Sequence, residues 1–97
     1  MASINWTAEG GRWLKEIHAY IAQDNPAAAL KVVEAICNKV ELLRTFPYLG
    51  SRYEPESEHD IRILSYGHYR IAYLVKSEQE IDILGIFHTA LKIERYL

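Results

Sequence analysis

Residues 61–88 read IRILSYGHYRIAYLVKSEQEIDILGIFH. Apolar and polar side chains alternate through this stretch with a period of two, the spacing of a half-buried β-strand. Ile61, Ile63 and Ser65 fall on one side, with Arg62 and Leu64 on the other. Tyr66-Gly67-His68 is a turn signal. Tyr69, Ile71, Tyr73 and Val75 then alternate with Arg70, Ala72, Leu74 and Lys76. After Ser77-Glu78-Gln79, Ile81, Ile83, Gly85 and Phe87 alternate with Asp82, Leu84, Ile86 and His88. Three such strands joined by short turns make an antiparallel meander.

Directly opposed residues of an antiparallel pair point to the same face. With Lys76 opposite Glu80, the residues Ile71, Tyr73 and Val75 share a face with Ile81, Ile83, Gly85 and Phe87. With Ser65 opposite Tyr69, Ile61 and Ile63 join that almost wholly apolar face. The other face then carries Arg62, Leu64, Arg70, Ala72, Leu74, Asp82, Leu84, Ile86 and His88. Arg62 becomes a diagonal neighbour of Arg70, and Arg70 of His88, about 7–8 Å apart. Two arginines and a histidine are therefore expected to converge on the open side of the sheet. The plainer alternative is that each arginine is solvated or paired with a carboxylate such as Asp82. Leu64, Leu74, Leu84 and Ile86 on the same side call for a cover, either the C-terminal tail or a partner protein.

Upstream the period changes to three and four. Ser3-Ile4-Asn5-Trp6 reads as a short strand, and Thr7 as the N-cap of a helix with Glu9 in its first turn. Trp13, Leu14, Ile17, Tyr20 and Ile21 recur along that helix, which should stop near Gln23. Gly10 and Gly11 weaken its first turn by about 1 kcal/mol each relative to alanine. Asn25 caps a second helix, and Pro26 fits its first position, where no N–H is needed. Ala29, Val33, Ile36, Val40 and Leu43 form its stripe, with Leu30, Cys37 and Arg44 beside it. The two helices form an αα-hairpin, ended by Phe46-Pro47-Tyr48-Leu49-Gly50. Residues 54–60 (EPESEHD) read as an acidic loop, and Thr89 to Leu97 as a short last helix.

Eleven basic against thirteen acidic residues leave a net charge of −2, which argues against a domain whose whole surface grips nucleic acid. Neither the helical segment 1–41, with four bases and five acids, nor the remainder is basic. One cysteine, Cys37, excludes an internal disulfide and a Cys-rich metal site, and fits a reducing compartment. His18, His59, His68 and His88 show no metal-ligand spacing. Met1 to Trp6 has neither a basic start nor a long apolar run, so no signal peptide is expected. No stretch approaches the roughly 18 apolar residues of a membrane span. These observations lead us to expect one cytoplasmic domain over residues 1–97 with no membrane contact.

The order strand, two helices, three antiparallel strands resembles the RelE/ParE toxin superfamily of bacterial type II toxin–antitoxin systems. The residues that carry the resemblance are INWTAEGGRWLKEIHAYIAQDNPAAA (4–29), LLRTFPYLGSR (42–52), IRILSYGHYRIAYLV (61–75) and IDILGIFHTALKIERYL (81–97). The resemblance implies an α+β fold of order β-α-α-β-β-β, with a helical hairpin packed on one face of a small antiparallel sheet. It also implies a plasmid-stabilisation toxin, neutralised by a cognate antitoxin in a toxin–antitoxin hetero-oligomer, with no metal or cofactor.

The superfamily has two activities, and the resemblance leaves both open. In a ParE-like member the toxin binds and inhibits DNA gyrase. In a RelE-like member it enters the ribosome and cuts mRNA by metal-independent chemistry. Basic residues then stabilise charge on the scissile phosphate, and a titratable side chain assists proton transfer. For that second activity the matching residues are Arg70, in Tyr69-Arg70-Ile71-Ala72-Tyr73, and His88, with Arg62, Lys92 and Tyr96 completing the candidate catalytic set. The match is partial. Leu91 stands where the nuclease branch commonly has an arginine, and Glu54, Glu56, Glu58 and Asp60 stand where it often has bases. The near-neutral charge, the sparse catalytic set, the Asn25-Pro26 hairpin and Phe46-Pro47-Tyr48-Leu49-Gly50 favour the ParE-like branch. A third reading is a remnant that only binds its antitoxin.

Overall fold

The computed structural model describes residues 1–88; the expected helix from Thr89 to Leu97 lies outside them. The described chain runs β1 (Ser3–Trp6), α1 (Ala8–Ala22), α2 (Pro26–Glu41), a 3₁₀ turn (Leu42–Arg44), β2 (Ser51–Arg52), β3 (Ile61–Tyr66), β4 (Tyr69–Ser77) and β5 (Glu80–His88). The strands form one sheet of order β1-β5-β4-β3-β2. β1 lies parallel to β5, and every other neighbouring pair is antiparallel. The α+β class and the strand–hairpin–meander order are as the sequence implies. The sheet is mixed because the helical hairpin carries the chain away from β1 before the meander brings β5 back alongside it. No helix among the described residues is long and apolar enough to cross a membrane.

Both helices start on the residues that can cap them. Thr7 Oγ1 accepts the Gly10 N–H at 3.0 Å, and Asn25 Oδ1 accepts the Ala28 N–H at 3.0 Å, each satisfying a donor the helix leaves unpaired. Pro26 occupies the first turn of α2. From α2 and the turn that extends it, Ile36, Val40 and Leu43 are fully buried against Leu64, Ile71, Tyr73, Val75, Ile81, Ile83 and Ile86 of the sheet. Trp13, Leu14 and Ile17 of α1 pack on the same core. Tyr20 and Leu30, expected on or beside the apolar stripes, are exposed.

The meander departs from the expected register at three places: Glu80 pairs with Ser77 rather than with Lys76, which is left as an extra residue at the end of β4, and two further departures turn side chains over. Tyr66 pairs with Tyr69 across a two-residue Gly67-His68 turn, rather than Ser65 with Tyr69 across three residues. Gly67 adopts a φ of 55°, which suits a hairpin turn with glycine first. The one-residue shift moves Arg62 and Leu64 to the face of Tyr73 and Ile71, and Ile61, Ile63 and Ser65 to the other. In β5 the expected register holds from Ile81 to Ile83. A bulge at Leu84 then sets Gly85 opposite Ala72 and Ile86 opposite Ile71. Ile86 thereby enters the main core, while Phe87 joins Ala72, Ile63 and Leu84 in a second cluster. Gly85 makes room for this: a Cβ there would lie 2.8 Å from the Phe87 ring. Trp13 packs against both clusters and meets Phe87 edge-on, with ring centroids 5.0 Å apart. Leu64 and Ile86, expected on the open face, thus lie in the core; Leu74 and Leu84 are half-buried.

The two glycines of α1 have opposite roles. A Cβ on Gly10 would sit 2.4 Å from the Ile83 carbonyl oxygen, whereas a Cβ on Gly11 meets nothing within 4 Å. Gly11→Ala is therefore expected to stabilise the fold by about 0.5–1 kcal/mol through helix propensity. Gly10→Ala is expected to cost roughly 1–3 kcal/mol, because the overlap is with backbone that cannot swing away. Urea unfolding of the two variants should move the midpoint in opposite directions; a gain for Gly10→Ala would refute the close approach.

Candidate functional site

Arg62, Arg70 and His88 do not converge. Arg62 pairs across the sheet with Tyr73, Arg70 with Phe87 and Ser65, and His88 with Tyr69. Tyr69 and Arg70 are consecutive in a strand and point to opposite faces, so His88 and Arg70 are separated by the sheet itself. Arg62 shares the parity of His88 but lies four residues along β4 from it, about 13 Å at the usual strand rise. The shift at the Gly67-His68 turn removes Arg62 from the face of Arg70, and the bulge at Leu84 removes His88. Lys92 and Tyr96 lie outside the described residues, as does Leu91.

Each of the three has its own setting. Arg70 is half-buried on the side of Ala72 and Phe87, and its side chain makes no ion pair or hydrogen bond with another described residue. Asp82, the suggested partner for an arginine, instead binds Lys76 Nζ at 3.1 Å and accepts the Asn5 side-chain amide at 3.3 Å. His88, at the end of β5, stacks on His68 with centroids 5.9 Å apart and meets Tyr69 edge-on at 5.7 Å. Parity alone did not suggest that histidine pair, because His68 belongs to the turn rather than to a strand. Among the described residues no three His, Cys, Asp or Glu side chains gather as a cation site.

Arg62 is the best connected of the three. Its Nε donates to Asp60 Oδ1 at 2.9 Å. Its Nη1 donates to the carbonyl oxygens of Tyr48 at 3.1 Å and Gly50 at 2.8 Å. Its guanidinium lies over the Tyr48 ring, 5.0 Å from the centroid. Arg52 Nε reaches the same Asp60 oxygen at 3.3 Å, so two guanidinium groups share one carboxylate. Arg62 is thus the clamp that holds the segment after α2 onto the edge of the sheet.

The same segment is pinned from inside the core. The Gly50 N–H donates to the hydroxyl of Tyr73 at 2.8 Å, and Tyr73 is fully buried. Gly50 must be glycine for this contact, since a Cβ would fall 2.7 Å from the Ile63 carbonyl and 2.9 Å from the Tyr73 ring. Between the two anchors the Leu49 N–H bonds the Phe46 carbonyl at 3.1 Å, closing a turn with Pro47 at its second position. Held in this way, Phe46, Tyr48 and Leu49 are exposed, as is Leu42 at the end of α2. Tightly anchored backbone carrying exposed aromatic and aliphatic side chains suits protein recognition better than proton transfer. For Cys37, half-buried on α2, burial first, and the Glu41 carboxylate second, push the thiol above its ordinary value, which lowers its thiolate fraction.

Comparison with known proteins decides the family. Residues 4–92 match the family described as ParE toxin of type II toxin-antitoxin system, parDE. The chain belongs to the ParE toxin family. Among curated relatives, "Putative toxin Y4kP" of Sinorhizobium fredii is 34% identical over 85 residues, spanning 88% of this chain and 85% of that protein. Among solved structures, a chain of the chromosomal ParDE system of P. aeruginosa superposes with a TM-score of 0.71 at 28% identity, covering 91% of this chain and 96% of the other. In this ParE toxin the clamp assembles residues far apart in the chain, and only the Phe-Pro-Tyr-Leu-Gly run marked it in the sequence.

The clamp assigns opposite fates to the two arginines. Arg62→Ala removes one ion pair and two carbonyl contacts, and should cost about 1–3 kcal/mol. Arg70→Ala should change stability by less than about 1 kcal/mol. Equal losses in chemical unfolding would contradict the clamp. Tyr73 gives a pH signature. Burial, the leading cause, raises its phenol pKa above the ordinary value, outweighing the opposing effects of the Gly50 hydrogen bond and Arg62. The fold therefore favours the neutral phenol. That contribution is whole below the ordinary tyrosine pKa of about 10 and is lost as pH rises through the higher folded value. Wild-type stability should fall more steeply above pH 10 than that of Tyr73→Phe, which should itself be weaker by roughly 1–3 kcal/mol at neutral pH; parallel pH curves would contradict the assignment.

Proposed function

We propose that this toxin arrests growth by binding DNA gyrase, that a cognate antitoxin neutralises it in a toxin–antitoxin complex, and that it acts in the cytoplasm, where gyrase works. The observation that carries the reading is the family match over residues 4–92, joined to a surface built for protein contact. An RNA-cutting toxin of the expected type would use Arg62, Arg70 and His88 together on one phosphate. Here Arg62 is committed to Asp60 and two carbonyls, and the sheet separates Arg70 from His88. The net charge of −2 points the same way, because long-range attraction to phosphates needs a basic surface. The ParDE relative in P. aeruginosa supports the antitoxin partner.

Purified toxin should inhibit gyrase supercoiling, and adding the antitoxin should restore it. Arg70→Ala and His88→Ala should leave growth arrest intact, and primer extension on translated mRNA should show no new cleavage. Unchanged supercoiling at stoichiometric excess, with no cleavage complexes, would remove the gyrase reading. Normal growth on expression without antitoxin would leave a chain that only binds its antitoxin.

A further inference from the structure

Resting on the gyrase reading, we propose that the turn Phe46–Leu49, with Leu42 beside it, is the surface by which this toxin grips its folded target. The fit is that of a rigid apolar knob entering a pocket with an acidic rim. Phe46, Tyr48 and Leu49 are 56%, 48% and 47% exposed, and Leu42 is 43% exposed. Four large apolar side chains lie within eight residues, whereas the other aromatic side chains among the described residues, Tyr20 apart, are at least partly buried. Clustered exposure of this kind marks an interaction site, and aromatic side chains dominate binding hot spots.

The anchoring of the turn says what kind of partner it fits. The Gly50 N–H is held by the buried Tyr73 hydroxyl, and the Tyr48 and Gly50 carbonyls by Arg62. The turn is further closed by the Leu49 N–H to Phe46 carbonyl bond, and its base by the Phe46 N–H to Leu42 carbonyl bond at 2.9 Å. A segment fixed this firmly loses little freedom on binding, which benefits a contact with an equally preformed pocket. A segment that folds as it binds instead wraps grooves and strand edges. The turn therefore suits a folded target with a preformed pocket.

Charge sets the rim of the pocket. Arg52 and Arg62 share the one carboxylate of Asp60, so two guanidinium charges, that of Arg62 lying over the Tyr48 ring, face a single counter-ion. Among the described residues Glu54, Glu56 and Glu58 form no ion pair with either arginine. A partner carboxylate at the rim would complete the balance.

Phe46→Ser and Leu49→Ser, chosen because neither side chain takes part in the clamp, test the assignment. Each is assayed for unfolding temperature, size in solution, affinity for the antitoxin and inhibition of gyrase supercoiling. The expected result is a weakening of gyrase inhibition by roughly thirtyfold or more, the scale of a hot-spot loss. Unfolding temperature, monomer mass and antitoxin affinity should stay at wild-type values. If Phe46→Ser proves unfolded, Leu49→Ser and a separate Leu42→Ser, whose side chain is also outside the clamp, carry the test. Inhibition retained by folded variants while the wild type inhibits would overturn this surface and leave the gyrase reading standing. So would a loss confined to antitoxin binding or to self-association. A wild type that does not inhibit gyrase would remove both.

Discussion

The Ile83 carbonyl is the point to which this fold is fastened. It sits at the bulge in β5, and it accepts two hydrogen bonds from Thr7, from the N–H at 3.2 Å and the hydroxyl at 2.7 Å. Thr7 Oγ1 in turn caps α1 through the Gly10 N–H. One carbonyl thus joins the end of β1, the start of α1 and strand β5 beside them. Gly10 lets the helix come down to that oxygen, and Gly85, two residues on, lets Phe87 turn back beneath Trp13. The bulge therefore decides both where the helical hairpin sits and which side of the sheet each residue from Gly85 to His88 occupies.

The legibility of the sequence follows from this. Period, caps and breaks are local, and they were readable: Thr7, Asn25 and Pro26 act where their chemistry places them, and β3, β4 and β5 lie where alternation puts them, whereas the two-residue β2 (Ser51–Arg52) is too short to alternate and was not expected. Pairing register is not local. A two-residue turn at Gly67-His68 and one extra residue at Leu84 each preserve the alternation within a strand while changing its partner. Ile86, Gly85 and Phe87 all fit either face by hydrophobicity, so composition could not expose the bulge. Its signal was Gly85, a residue that a plain strand has little use for.

The candidate site failed to assemble for the same reason, and the failure is informative. Arg62 looked like a ligand for phosphate because it was a cation on a strand. In the structure its fork is occupied by a carboxylate and two backbone carbonyls. A guanidinium used in this way is structural, since releasing it for a substrate would free Tyr48 and Gly50 from the sheet edge. The shared Asp60 makes the commitment stronger, because Arg52 depends on the same oxygen.

What the clamp secures is the backbone of an exposed apolar turn. Tyr73 reaches out of the core to one N–H, Arg62 reaches around the edge to two carbonyls, and neither touches the apolar side chains between them except at the Tyr48 ring. The backbone is fixed while Phe46 and Leu49 are left exposed. Exposing them is unfavourable for an isolated monomer, since burying such a side chain stabilises by roughly 1.5–3 kcal/mol. A fold that anchors those residues outward forgoes that stability, and the difference becomes available when a partner covers them. Phe46 and Leu49 thus hold apolar surface that is left uncovered in the monomer and that a partner's cover would bury.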